Sequence, residues 1–236
     1  MECERYGLKI NIAKTEVMGL SKRVGQLPVK VSLENRELNQ VESFKYLGSM
    51  MCEDGKCDKD IRMRIAMAKA SFGQMRKVLT NLQFNIDTRK RVLKAYVWSV
   101  LLFGCESWTI SKDMRRKLEA TEMWFLRRML RVPWTARRSN IEILQMAGTK
   151  RMLMTTIRKR QLGFLGHTLR GGGIEKDCLL GTIEGRRARG RQISKFMEGI
   201  KECIGCDTMG EVMRLAEIRA EWRSIVANVN QDTALR

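Results

Sequence analysis

DKDIRMRIAMAKASFGQMRKVL, residues 58–79, is the stretch that decides the fold. Its apolar side chains at Ile61, Ile65, Ala68, Phe72, Met75 and Leu79 recur mostly three or four residues apart, the period of a helix with one buried face. Asp58 stands where an N-cap belongs, and Asp58 and Asp60 are acids at the positive end of a helix dipole, which accounts for both. Upstream the period is two instead: VKVSL, residues 29–33, alternates apolar and polar as a half-buried strand does. The chain therefore changes from short strands to helices near residue 57.

Working outward, residues 8–12 and 15–20 read as strands, 34–37 as a turn, and 38–41 and 44–51 as further strands. Downstream, 87–104 is a helix with Val92, Leu93, Tyr96, Val97, Val100 and Leu101 inside. Another helix runs over 111–131, and Val132-Pro133-Trp134 stops it. Ser139 and Glu142 form a capping box for a short helix ending near Gly148. A helix over 150–170 ends at three glycines, 171–173, and two more helices occupy 192–203 and 209–228. The fold class is mainly α (α+β), with a small antiparallel sheet at the N-terminus.

The 236 residues carry 45 Lys+Arg against 26 Asp+Glu, a net charge of +19. Residues 58–131 hold 17 cations and 7 anions, and 132–191 hold 13 and 4, while both ends are close to neutral. A charge so concentrated points to a polyanion, and nucleic acid is the usual one. The longest apolar run, 95–104, is about half the length that spans a bilayer, so no membrane segment is expected. Seven cysteines, an odd number, and a polar, acidic start predict free thiols in an intracellular protein, in the nucleus, the cytoplasm or both. His167, Cys178, Cys203 and Cys206 include a CxxC, but the 24 residues between Cys178 and Cys203 are no zinc-knuckle spacing, so zinc is not expected. There is no nucleophile elbow, no phosphate loop and no paired acidic motif of polymerase or nuclease spacing.

GLKIN (7–11) with Lys14-Thr15, FKYLG (44–48), the phrases 95–109 and 124–140 (WFLRRMLRVPWTARRSN), and IRKRQLGFLGHTL (157–169) carry a resemblance that spans essentially the whole chain. They resemble the C-terminal part of non-LTR (LINE-type) retrotransposon proteins, which join an endonuclease to a reverse transcriptase. The resemblance implies a palm remnant over 1–57, a helical thumb over 58–131 and a basic helical extension over 132–236. It implies that Lys14 is a general acid toward pyrophosphate in the parent polymerase, and that the hairpin with Lys45 and Tyr46 grips the primer. The parent's Mg2+-binding aspartates would precede Gly7, so this chain alone is expected not to polymerise and to need no cofactor. Expected partners are an RNA template, a DNA primer or their duplex; protein partners are left open.

The residues expected to touch nucleic acid are Lys45 and Tyr46, then Arg62, Lys69, Arg76, Lys77 and Arg89 on the thumb. Arg64, Lys90, Arg91 and Lys94 add to the same charge. Arg137 and Arg138 flank Trp134, which either packs in a core, as Trp98, Trp108 and Trp124 are expected to, or stacks on bases. Arg158 and Lys159, with Arg186, Arg187, Arg189 and Arg191 in the arginine-glycine loop GRRARGR (185–191), complete the set. The function expected is a C-terminal fragment of an RNA-directed DNA polymerase that retains template–primer binding. The alternative is a non-catalytic host protein derived from such an element, binding RNA, DNA or a protein.

Overall fold

Among the described residues, period-two patterning yields short strand pairs before residue 57, and period-3.6 patterning yields helices after it. The structure, a computed structural model, describes residues 5–7, 9–20, 29–180 and 196–229. It is mainly α, with a small amount of antiparallel sheet. The chain divides into two units, Met1–Ile61 and Arg62–Arg236.

In the first unit β1 (Glu16–Val17) pairs in parallel with β4 (Asn39–Gln40). β2 (Ser32–Leu33) and β3 (Arg36–Glu37) form an antiparallel hairpin through Glu34 and Asn35, both at positive φ. β5 (Ser43–Tyr46) and β6 (Ser49–Cys52) form a second one through Leu47 and Gly48, at φ 45° and 88°. Positive φ at both central residues is the turn whose twist suits a two-residue hairpin. The strand expected over 8–12 does not form in its described part, and 12–14 is a 3-10 turn. Thr15 explains this: its N–H donates to Ile12 O and its hydroxyl to Asn11 O, closing the chain on itself. The turn expected over 34–37 spans only its first two residues, and the strand expected over 44–51 is itself a hairpin.

α1 (Asp58–Gln74) begins with the two acids, and Asp60 Oδ1 accepts the Met50 N–H at 2.9 Å. In the second unit α1 buries Ile65, Ala68 and Phe72. It does not reach 79. Met75 leaves helical geometry and a short α2 (Arg76–Leu79) follows. Asn85 caps α3 (Ile86–Val92), accepting the Thr88 N–H at 2.7 Å. α3 widens into a π-helical stretch, Leu93–Trp98, then closes as α4 (Ser99–Leu101). Ser111 caps α5 (Lys112–Met129), whose Phe125 and Trp124 meet Phe72 at ring separations of 5.3 and 5.4 Å. α6 (Asn140–Met146) carries the capping box of Ser139 and Glu142.

α7 (Leu153–Arg170) packs against α5 on one side and the C-terminal helices on the other. Short α8 (Ile174–Leu180) follows, then α9 (Phe196–Ile204), α10 (Met209–Glu217) and α11 (Arg219–Asn228). Leu162, Leu165 and Leu169 of α7 share a core with Ile200, Val212, Ala216 and Trp222. Gly166 is what allows the approach of α11. The Trp222 indole lies where a Cβ would be, 2.1 Å away, and its N–H donates to Leu162 O at 2.9 Å. Lys159 Nζ donates to Ala227 O at 2.8 Å, at the carbonyl end of α11.

Candidate nucleic-acid interface

α1 and α5 run beside an open groove of about 860 Å³ in the second unit. α1 contributes Arg62 and Lys69, which its helical spacing of seven sets on one face. α5 contributes Arg116, Lys117, Arg127 and Arg128, and Arg151 enters from the segment before α7. Glu119 is the carboxylate among the lining residues. It is shared by Arg115 at 3.1 Å and Arg151 at 3.3 Å. The Asp113 carboxyl is held below the usual range, first by its hydrogen bond from Lys117 and then by the nearby charges, Arg62 and Arg116 among them. The groove is thus a positively charged trough.

Two tryptophans punctuate it. Trp124 is half-buried, with the Arg128 guanidinium 4.2 Å and the Lys69 ammonium 5.4 Å over its ring. Trp134 is 82% exposed, with the Arg127 guanidinium 5.1 Å over it. Packing in a core, expected for this constellation, holds for Trp98 and Trp108 but not for Trp134. The chain turns out through Pro133 and a 3-10 turn, leaving the indole without a covering element.

Of the residues expected from sequence, Arg62 and Lys69 meet in this groove. Arg76 and Lys77 are exposed on α2, and Arg137 and Arg138 are exposed beside Trp134, Arg138 paired with Glu142 at 2.8 Å. Lys14, Lys45 and Tyr46 are exposed in the first unit, Lys14 at the end of the 3-10 turn and the other two on β5. Arg186, Arg187, Arg189 and Arg191 lie outside the described residues.

Several cations serve the fold instead. Arg89 is 5% exposed and donates to Phe84 O and Met129 O, tying α3 to the end of α5. Burial lowers its pKa from the usual arginine value. Arg158 is covered by α9 at Gly199, bonds Gln161 Oε1 at 2.9 Å, and is likewise lowered by burial. Lys159 caps α11, Lys90 donates to Ala147 O and Gly148 O at the end of α6, and Arg64 lies over Phe103 at 4.2 Å. Cations drawn to helix carbonyl ends are a common economy of helical proteins, and periodicity cannot tell them from solvent-facing ones.

Arg116, Lys117, Arg127, Arg128 and Arg151 were not expected in the site. Arg127 and Arg128 sit inside an apolar phrase, and their position across from Arg62 and Lys69 depends on how α5 packs.

Among the described residues no three His, Cys, Asp or Glu gather to hold a metal. Cys203 is in the core, its thiol raised by burial, while Cys178 and His167 are exposed. No described residues form a cluster that fits the Mg2+ that a parent polymerase implies.

No protein-family model matches the chain, and no solved structure matches it. The chain is 25% identical over 244 residues to an uncharacterized transposon-derived protein of Caenorhabditis elegans, covering 95% of this chain and 85% of the relative. That similarity supports a transposon-derived origin for the chain.

Proposed function

We propose that the groove between α1 and α5 binds the phosphodiester backbone of nucleic acid. On this reading the chain is the template–primer-binding part of a non-LTR retrotransposon reverse transcriptase. The observation that carries it is the gathering of Arg62, Lys69, Arg116, Lys117, Arg127, Arg128 and Arg151 around one trough lined by one carboxylate, Glu119, which is already paired, with Asp113 beside it bonded to Lys117. Phosphate contacts of this kind give affinity without sequence information and release counterions. The transposon-derived relative and the palm- and thumb-like phrases agree with it. Lys14, Lys45 and Tyr46 would serve the parent enzyme's palm, and Arg186, Arg187, Arg189 and Arg191 would add backbone contacts.

The test is binding of the full chain to a labelled RNA–DNA primer–template, duplex DNA and single-stranded RNA at several salt concentrations. Affinity is expected to fall steeply with salt, the slope dropping by about 1 for each phosphate-contacting cation removed. Arg116→Ala with Arg128→Ala should weaken the primer–template and the single-stranded RNA. Binding that ignores salt, or a double variant that binds like wild type, would sink the reading.

A second reading, a non-catalytic host protein descended from such an element, keeps the groove and drops the polymerase. The C. elegans relative, described only as transposon-derived, agrees with this reading as it does with the first. A reading frame continuing upstream of Met1 through an aspartate-bearing palm motif supports the first reading; a frame without one supports the second.

A further inference from the structure

Of the two groove tryptophans, one is used up and the other is not. Trp124 is engaged by Arg128, Lys69, Phe72 and Phe125. Trp134 has one cation against it, Arg127, and is otherwise in solvent. A bare indole on a surface exposes large apolar area to water at a cost. Here it is also braced. Arg127 is 9% exposed and is fixed by donating from Nη2 to Arg138 O at 2.7 Å and Asn140 Oδ1 at 3.1 Å. Pro133 restricts the backbone just before the ring. The result is an aromatic plate with a held guanidinium against it and most of its surface open, at the rim of a cationic trough.

We propose that the groove takes a single strand of nucleic acid and that Trp134 stacks an unpaired base of that strand. This rests on the groove reading above and names its ligand. In a duplex the base faces are occupied by neighbouring bases, so only an unpaired base can offer one to an indole. The trough, about 860 Å³, is on the scale of a small-ligand cleft rather than of a duplex-wide surface. It holds a few nucleotides, with Arg116, Lys117 and Arg128 on their phosphates and Trp134 against one base. Stacking reads no base edge, so the site tolerates any sequence.

The full chain would be titrated with labelled oligodeoxythymidylate and oligouridylate, with a matching abasic deoxyribose-phosphate strand, and with a blunt duplex. Trp134→Ala is expected to weaken both oligonucleotides about tenfold and the abasic strand and duplex less than about twofold. Trp134→Phe, which keeps an aromatic plate, is expected to recover most of the loss. The ring's exposure means that neither variant should disturb folding. Equal weakening of the abasic strand, or wild-type binding by Trp134→Ala, overturns the stacking. If Trp134→Ala is silent while Arg116→Ala with Arg128→Ala still weakens binding, the stacking fails and the groove stands. If both are silent, the groove fails as well.

Discussion

Two glycines on α7, three residues apart, have opposite expected responses to one added methyl group. At Gly166 the new Cβ would fall 2.1 Å from Trp222 Nε1, so α11 must move away and the indole must give up its bond to Leu162 O. Gly166→Ala should cost about 1–3 kcal/mol or more, since overpacking and a lost buried hydrogen bond act together. At Gly163 a Cβ meets nothing within 4 Å. Gly163→Ala should therefore gain about 0.5–1 kcal/mol from the stiffer unfolded chain. Urea unfolding midpoints of the two variants against wild type check the pair. Equal midpoints would mean that α11 does not dock on Gly166. Nothing local in LGFLGH, residues 162–167, distinguishes the two positions. Trp222 is legible as an anchor of the last helix, but its seat on Gly166 is a contact 56 residues away. Trp134 is the reverse case: the arginines beside it hint at a surface, and the structure sets aside core packing for an indole that is exposed.

At the scale of elements, starts were legible where a local device marks them. Ser111 and the Ser139–Glu142 box each cap a helix, Asp58 is the first residue of α1 rather than the residue before it, and Gly171 follows the last residue of α7. The break at Met75 was not, because the apolar stripe runs through it without proline. Nor was the delayed start of α7, at Leu153 rather than 150. Its first amides are taken by α5: the Met152 and Leu153 N–H groups donate to Glu122 Oε1 at 2.7 and 3.0 Å. A carboxylate 4% exposed thus caps a helix from the side, and burial raises its pKa despite those two bonds and the nearby Arg151. The sign follows from linkage. A folded-state pKa above the unfolded one means stability that is present below the unfolded value and lost as pH rises through the folded value. Glu122→Gln keeps the oxygen acceptor and removes the titration. The difference in stability between wild type and Glu122→Gln should therefore shift against wild type as pH rises above the usual glutamate range. Measuring both midpoints across pH 4–8 at fixed salt isolates Glu122 from exposed acids such as Asp87 and Glu142, whose pKa values are lowered and whose effects run the other way. A constant difference across that range would show that the carboxyl is not held in this site.

At the scale of the molecule, the two units differ in what holds them. In the described part of Met1–Ile61 the strands are two to four residues long, and Cys52 is the strand residue that is buried. In Arg62–Arg236 the helices share continuous cores around Phe72 and Phe125, around Leu126 and Ile143, and around Leu165 and Trp222. Two-stranded pairs with so little apolar cover are marginal in water. Amide exchange in the full chain should be fast in β1–β6 and slowest in α5 and α7. Equal protection in the strands and in α5 would contradict that contrast. The switch from strands to helices near residue 57 and the mainly helical class were legible because they depend on periodicity. The trough was only half legible, since Arg62 and Lys69 share one helix face by spacing but the cations opposite belong to another helix.

The seat of Trp222 has a bearing on descent. A copy of this sequence that no longer has to make protein loses Gly166 and Gly163 at the same pace, for mutation does not see packing. A lineage still selected to fold can spare the second and must keep the first. Position 166, set beside position 163, is in effect a molecular clock with a control, able to tell living descendants of the ancestral element from its fossils.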